Sequence, residues 1–273
     1  MARESQRGTK GKARRAAMVF SIAAFLAFLA WSPFGVAQYT PGTGIMGSPH
    51  DFSTNNTGRT AGGVRTGACT YCHTPHRASR TRLLWNKNHP PTDYTWGPNY
   101  TVTNDGGTPL PTIRADWLGP TVFCLTCHDG SVTIGDIAWF NKQSWTGTSS
   151  IDTRLATAHV SNPFRIEDFM KDMIGEHPVA APYPYLRARN TYNGVTNGTG
   201  LRMDRYVSDP TASSGGRIRL FQNVGGNVRA GAVAGNTGIE CTTCHGVHNE
   251  RGVVQGDFLL RSARNNICNE CHL

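Results

Sequence analysis

The chain has 273 residues, with 27 basic and 18 acidic side chains and a formal charge of +9. That excess does not support nucleic-acid binding: the first 37 residues hold 6 of the basic and 1 of the acidic groups, leaving 21 and 17, or +4, for the rest. Glycine and proline number 31 and 15. Little of the chain repeats with the period of an amphipathic helix or an alternating strand, so a core built from side chains alone would be weak.

The N-terminus reads as a targeting segment. Arg3, Arg7, Lys10, Lys12, Arg14 and Arg15 face a single acid, Glu4, and an apolar run follows over residues 16–31. Ser32-Pro33 breaks the run, and Gly35-Val36-Ala37 places small residues before Gln38. This layout predicts a secretory signal peptide over residues 1–37 and a mature chain over residues 38–273. An uncleaved anchor is the competing reading. The run is shorter than the roughly 20 apolar residues of a spanning helix, and no cysteine near the cleavage point is available for a lipid. Export through the periplasm to the cell surface or beyond is therefore expected, without a stable membrane anchor.

Residues 38–150 then bring His50, the run Cys69-Thr-Tyr-Cys72-His73, His76, His89 and the run Cys124-Leu-Thr-Cys127-His128. Residues 151–273 bring His159, His177, Cys241-Thr-Thr-Cys244-His245, His248 and Cys268-Asn-Glu-Cys271-His272. All eight cysteines thus fall in four copies of Cys-x-x-Cys-His, the attachment signature of c-type haem. From the composition, a given cysteine would meet this pattern by chance about once in a thousand. Zinc pairs do not need a histidine after every second cysteine, and such close cysteine pairs are seldom structural disulfides. Four covalent haems are expected, two in each half, with His73, His128, His245 and His272 as proximal iron ligands. Their eight propionates and four ferric centres would bring the net charge of the oxidised protein to about zero, which does not oppose self-association.

Ten histidines, less the four in the motifs, leave His50, His76, His89, His159, His177 and His248. Four irons need four distal ligands, so every iron can be bis-histidine ligated, with no face open to a substrate. The two halves repeat one arrangement: an upstream histidine, a first motif with a histidine three residues beyond it, then a plain motif. That gives His50, His76, His177 and His248 as the distal set, with His89 in reserve and His159 a surface or hydrogen-bonding residue. His76 and His248 follow their proximal histidines by three residues and share their face of a helical turn. Neither can reach the far side of its own porphyrin, so each must serve a different iron.

Asn162-Pro163 opens a predicted helix on which Ile166, Phe169, Met170, Met173 and Ile174 form an apolar stripe, with Gly175 as its stop. Met170 and Met173 read as core packing, not as ligands. The sequons at Asn55, Asn99 and Asn197 read as chance matches in a chain exported this way. The aromatic residues over 85–100 are expected against porphyrin faces. The fold class is therefore mostly coil with a few short α-helices and little β, wrapped around a stack of four covalent haems. Binding linked to folding would order a loop-rich chain.

The ordered set Ser48-Pro-His50-Asp-Phe-Ser53, Cys69-Thr-Tyr-Cys-His-Thr-Pro-His76, Leu84-Trp-Asn86, Cys124-Leu-Thr-Cys-His-Asp-Gly130, Glu176-His-Pro-Val179 and Cys241-Thr-Thr-Cys-His-Gly-Val-His248 resembles the doubled-motif multihaem c-type cytochromes. Within these it is most similar to the tetrahaem subunits of extracellular cytochrome nanowires, the OmcE type. The resemblance covers nearly all of the mature chain. It implies a coil fold around a continuous haem file and head-to-tail homopolymers in which one distal histidine comes from the adjacent subunit, with His76 the candidate. Lys87-Asn88 between Asn86 and His89 departs from the family pattern. The expected role is extracellular electron transfer with redox proteins or extracellular acceptors as partners, not catalysis. A discrete periplasmic or outer-surface carrier is the alternative. An enzyme would need a five-coordinate iron flanked by acid–base groups.

Overall fold

The computed structural model describes residues 40–46, 48, 50–51, 67–78, 82–87, 93–96, 110–128, 137–140, 143–145, 173, 177–254 and 259–273. All lie within one compact unit, Tyr39–Leu273. Coil and turn dominate. Helices are few and short: α1 Gly67–Thr70, α2 Pro120–His128, α3 Pro210–Ser213 and α4 Cys241–Cys244, with 3-10 turns at Arg82–Leu84, Tyr185–Arg187, Met203–Arg205 and Ile267–Glu270. None of the described helices is long and apolar enough to cross a membrane.

Antiparallel sheet is more prominent than the sequence suggests. β1 Ile137–Phe140 pairs with β2 Gln143–Trp145, and β4 Thr191–Tyr192 pairs with β5 Val195–Thr196. β3 Ala181–Pro182, β6 Phe221–Val224, β7 Asn227–Ala230 and β8 Gly238–Ile239 form a four-stranded sheet in the order β3-β8-β6-β7. Two-residue turns close the hairpins at Asn193-Gly194 (φ 47° and 74°) and Gly225-Gly226 (φ 58° and 83°). Positive φ at both central positions matches the twist of antiparallel strands, and Asn and Gly adopt it with least strain. Strands of two to four residues are too short to show alternation, so their signal sits in the turns.

The sheet feeds directly into the third motif, because β8 runs through Glu240 into α4. A Cβ at position 238 would strike the Tyr192 ring, so glycine is what allows β8 to lie against β4. Trp117, Phe123, Leu125, Met173, Tyr192 and Phe221 are buried together in one cluster. Each such side chain removed from water contributes about 1.5–3 kcal/mol. Phe123 and Leu125 belong to α2, so the core also anchors the second motif.

Met173 is the one residue of the predicted helix over 163–174 that the structure describes. It is buried in the core, as a packing residue should be. Its φ of 52° is left-handed, so this position is not helical. Met170 and the rest of that segment lie outside the described residues. Asn197 is buried, and its Oδ1 accepts the amide of Asn190, which leaves no exposed glycan acceptor there.

An N-terminal strap, residues 40–51, is tied down by one side chain. Asn249, itself left-handed at φ 49°, accepts the Gly42 amide at 2.9 Å and donates to the carbonyls of Thr40 at 3.0 Å and Gly44 at 2.9 Å. Its own carbonyl accepts the Gly44 amide at 2.9 Å. Asn249→Ala should cost about 2–4 kcal/mol through the lost side-chain bonds, measured as a lower denaturant midpoint. It should also loosen His50, at the end of the strap.

Candidate functional site

Each Cys-x-x-Cys-His run is one helical turn. The amide of the motif histidine donates to the carbonyl of its first cysteine at 2.9 Å in His73, 3.1 Å in His245 and 2.9 Å in His272, and Cys124 to His128 end helix α2. A helical turn puts positions i, i+3 and i+4 on one face, so each motif presents two thiols and an imidazole together. None of the eight cysteines is in a disulfide.

Neighbouring thiols place the motifs in file. Cys72 lies near Cys127, the Cys124 and Cys241 thiols share a hydrogen bond, and Cys244 lies near Cys268 and Cys271. Successive motifs are thus neighbours, first with second, second with third and third with fourth, and His248 also brings the flank of the third motif to the first. Burial, with Cys127 adding and Lys87 opposing, pushes the Cys72 thiol up to about 12. The Cys241 contact and burial raise Cys124 well above the ordinary thiol value. Burial likewise lifts Cys244 to about 11 and Cys271 to about 12. The second and third motifs are joined most firmly: α2 packs on α4, the Thr121 amide donates to Glu240 Oε2 at 2.9 Å, and the Cys241 amide donates to Thr121 Oγ1 at 3.2 Å.

Three imidazole pairs form, each joining a motif histidine to one outside the motifs. His73 faces His248 with ring centres 6.1 Å apart, His128 faces His50 at 6.1 Å, and His272 faces His177 at 6.3 Å. Two imidazoles bound to one ion from opposite sides, with metal–nitrogen bonds of about 2.0–2.1 Å, have ring centres about 6.3 Å apart. The second ring nitrogen is engaged in each pair. Nδ1 of His73 lies 2.6 Å from the Leu83 carbonyl, Nδ1 of His50 lies 3.0 Å from that of Val247, and Nδ1 of His177 lies 3.0 Å from that of Pro178. A carbonyl only accepts, so each Nδ1 carries the proton and Nε2 keeps its lone pair for a metal. Burial is the main cause holding His177 and His248 below the usual histidine value, which favours the neutral, metal-binding form.

His248 thus faces the first motif and not its own, as its position three residues past His245 requires. His76 is exposed, and its ring makes no hydrogen bond or ring contact among the described residues. His245 is fixed by its amide and by a bridge to Leu260. His89 and His159 lie outside the described residues. Of the aromatics expected on porphyrin faces, Trp85 stands against the His73 ring at 5.7 Å, whereas Tyr94 and Trp96 are buried in the protein core.

The paired imidazoles, with two free thiols beside each motif histidine, are the donor set that a covalently held porphyrin would use. Among the described residues no three His, Cys, Asp or Glu side chains converge on one point. Instead, large apolar side chains stand exposed beside the motif histidines: Leu83 and Leu84 next to His73, and Leu273 directly after His272. A porphyrin held by these histidines would cover those side chains. Tyr206 adds a ring 4.9 Å from His272. Sequence reasoning missed the carbonyls that orient the imidazoles, which carry no side-chain signal, and it missed Glu240, an acid directly before a motif.

No protein-family model matches the chain, and no curated protein matches it.

The junction of α2 and α4 tolerates little change. A Cβ at Gly119 would collide with Trp117 Nε1 and Glu240 Oε1. Gly119→Ala should therefore destabilise by about 1–3 kcal/mol, read as a lower thermal midpoint with the mass of the purified protein unchanged apart from the added methylene.

Proposed function

We propose that this chain is a tetrahaem c-type cytochrome that carries electrons outside the cytoplasm and polymerises into a filament with its haems in one continuous file. The observation that carries this reading is the set of three imidazole pairs spaced for one metal ion each, every pair including a Cys-x-x-Cys-His histidine. Cys69 and Cys72, Cys124 and Cys127, Cys241 and Cys244, and Cys268 and Cys271 hold one haem each through thioether bonds. His73, His128, His245 and His272 are the proximal ligands. His248, His50 and His177 are the distal ligands of the first, second and fourth haems.

The haem, when bound, supplies a one-electron iron couple. The chain does the rest. The carbonyls of Leu83, Val247 and Pro178 orient the imidazoles, and ligation of both iron faces excludes substrate. Bis-histidine ligation keeps the potentials low compared with methionine ligation. Porphyrins held on neighbouring motifs would pass electrons from one to the next along the chain.

The third haem takes its distal ligand from His89 or from His76 of a neighbouring copy. The exposed ring of His76, unengaged among the described residues, supports the second. A heterologous contact of this kind does not close on itself and yields an open filament. The alternative, a discrete carrier, draws on the fact that three of the pairs form within one chain. His76→Ala should leave four haems attached and abolish filaments in negative-stain images. Normal filaments from that variant would remove His76 as the cross-subunit ligand, whereas discrete particles from the wild-type protein, with a high-spin haem from His89→Ala, would move the reading to the discrete carrier.

His177→Ala should leave all four haems attached and convert one of them to the high-spin form. An unchanged low-spin absorption spectrum would remove His177 from the ligand set.

A further inference from the structure

Glu240 is a second kind of site, placed between the haem motifs and used by none of the ligation just described. It is 1% exposed. Its Oε1 accepts the Trp117 indole N–H at 3.1 Å and the Tyr192 hydroxyl at 2.7 Å, and its Oε2 accepts the Thr121 amide at 2.9 Å. Its own amide donates to Thr243 Oγ1 at 2.9 Å, fixing it at the start of α4. Gly119 closes the remaining side so tightly that even a methyl group would not fit.

Every donor to this carboxyl is neutral. The titratable groups that face it are the Tyr192 phenol from β4, the Cys124 thiol from α2 and, next in the chain, the Cys241 thiol of α4. No lysine, arginine or histidine is hydrogen-bonded or ion-paired to it among the described residues. Burial without a cation favours the neutral acid, while three donors favour the carboxylate. Burial is the larger influence, and it holds the group above the ordinary glutamate value. Once Cys124 and Cys241 are thioethers they no longer titrate, and the phenol stays a donor. Among the described side chains, Glu240 is then the one at this junction whose charge can change.

We propose that Glu240 takes up a proton when the haems on the second and third motifs are reduced and releases it when they are oxidised, so that electron passage through the middle of the file is coupled to a proton. This rests on the haem assignment above. Entry of one electron from a redox partner lowers the charge beside Glu240 by one. One proton from solvent onto a carboxylate oxygen restores it, leaving the acid. Loss of the electron reverses both steps. With no described cation bonded to the carboxylate, ferric centres held on the neighbouring motifs would offset its charge, so its proton affinity would follow their redox state.

The test is spectroelectrochemical titration of the exported, haem-loaded protein at a series of pH values, with the electrode as electron source and intact mass taken on the same sample. In the wild type, midpoints should fall as pH rises, and a pH-indicator dye in unbuffered solution should report proton uptake on reduction. Glu240→Gln should keep four haems and a low-spin spectrum, raise the midpoints at the alkaline end towards their acid values, and lose that component of the pH slope. Tyr192→Phe removes one donor to the carboxylate and should move the slope to higher pH. A wild type without pH dependence, or a Glu240→Gln protein with the wild-type slope, overturns the proposal. If Glu240→Gln does not mature, an unmoved slope in Tyr192→Phe overturns it instead. A mass showing fewer than four haems in the wild type would be a different result, against the haem assignment itself.

Discussion

An imidazole whose Nδ1–H is committed to a backbone carbonyl has one nitrogen left, aimed in one direction. The rest of this structure depends on that constraint. The Leu83 carbonyl comes from a 3-10 turn 10 residues past His73 and the Val247 carbonyl from a segment 197 residues past His50, and each must be delivered to within hydrogen-bond distance. The left-handed backbone at Leu83 and Leu84 turns the chain back onto His73. The Asn249 clamp brings the strap bearing His50 to Val247. Much of the coil is therefore positioned irregularity, with turns fixed by specific hydrogen bonds in place of long helices.

A chain with so little regular structure needs another source of cohesion. Its side-chain core is real but local, gathered around Trp117, Phe123 and Tyr192 beside the α2–α4 junction. Elsewhere, large apolar side chains face outwards next to the motif histidines. In the proposed holoprotein those surfaces are covered by porphyrin, and covalent attachment with iron ligation supplies what packing does not. The same arrangement sets the α2–α4 junction apart: there the protein core and a buried acid, Glu240, meet the second and third motifs at once.

The sequence made the motifs fully legible, because the i, i+3, i+4 spacing of a helical turn is written directly in Cys-x-x-Cys-His. The coil-rich fold with few helices was also legible from glycine, proline and missing periodicity. His50, His177 and His248 were found by position in an internal repeat, and all three stand opposite a motif histidine. What they face was less accessible. His248 crosses from the second half to His73 in the first, a pairing that depends on how the chain folds back and not on spacing. The four-stranded sheet was missed because its strands are two to four residues long, although Asn193-Gly194 and Gly225-Gly226 are hairpin turns with a recognised chemistry. At Met173 the apolar period identified a buried residue but the wrong backbone, since burial alone produces the same pattern over so short a segment.

The most direct measurement is electron cryo-microscopy of the exported, haem-loaded protein. The account predicts continuous density through three porphyrins joining His73 to His248, His128 to His50 and His272 to His177, with a fourth haem on His245. Irons joined to other histidine pairs, or motifs that carry no porphyrin, would contradict it.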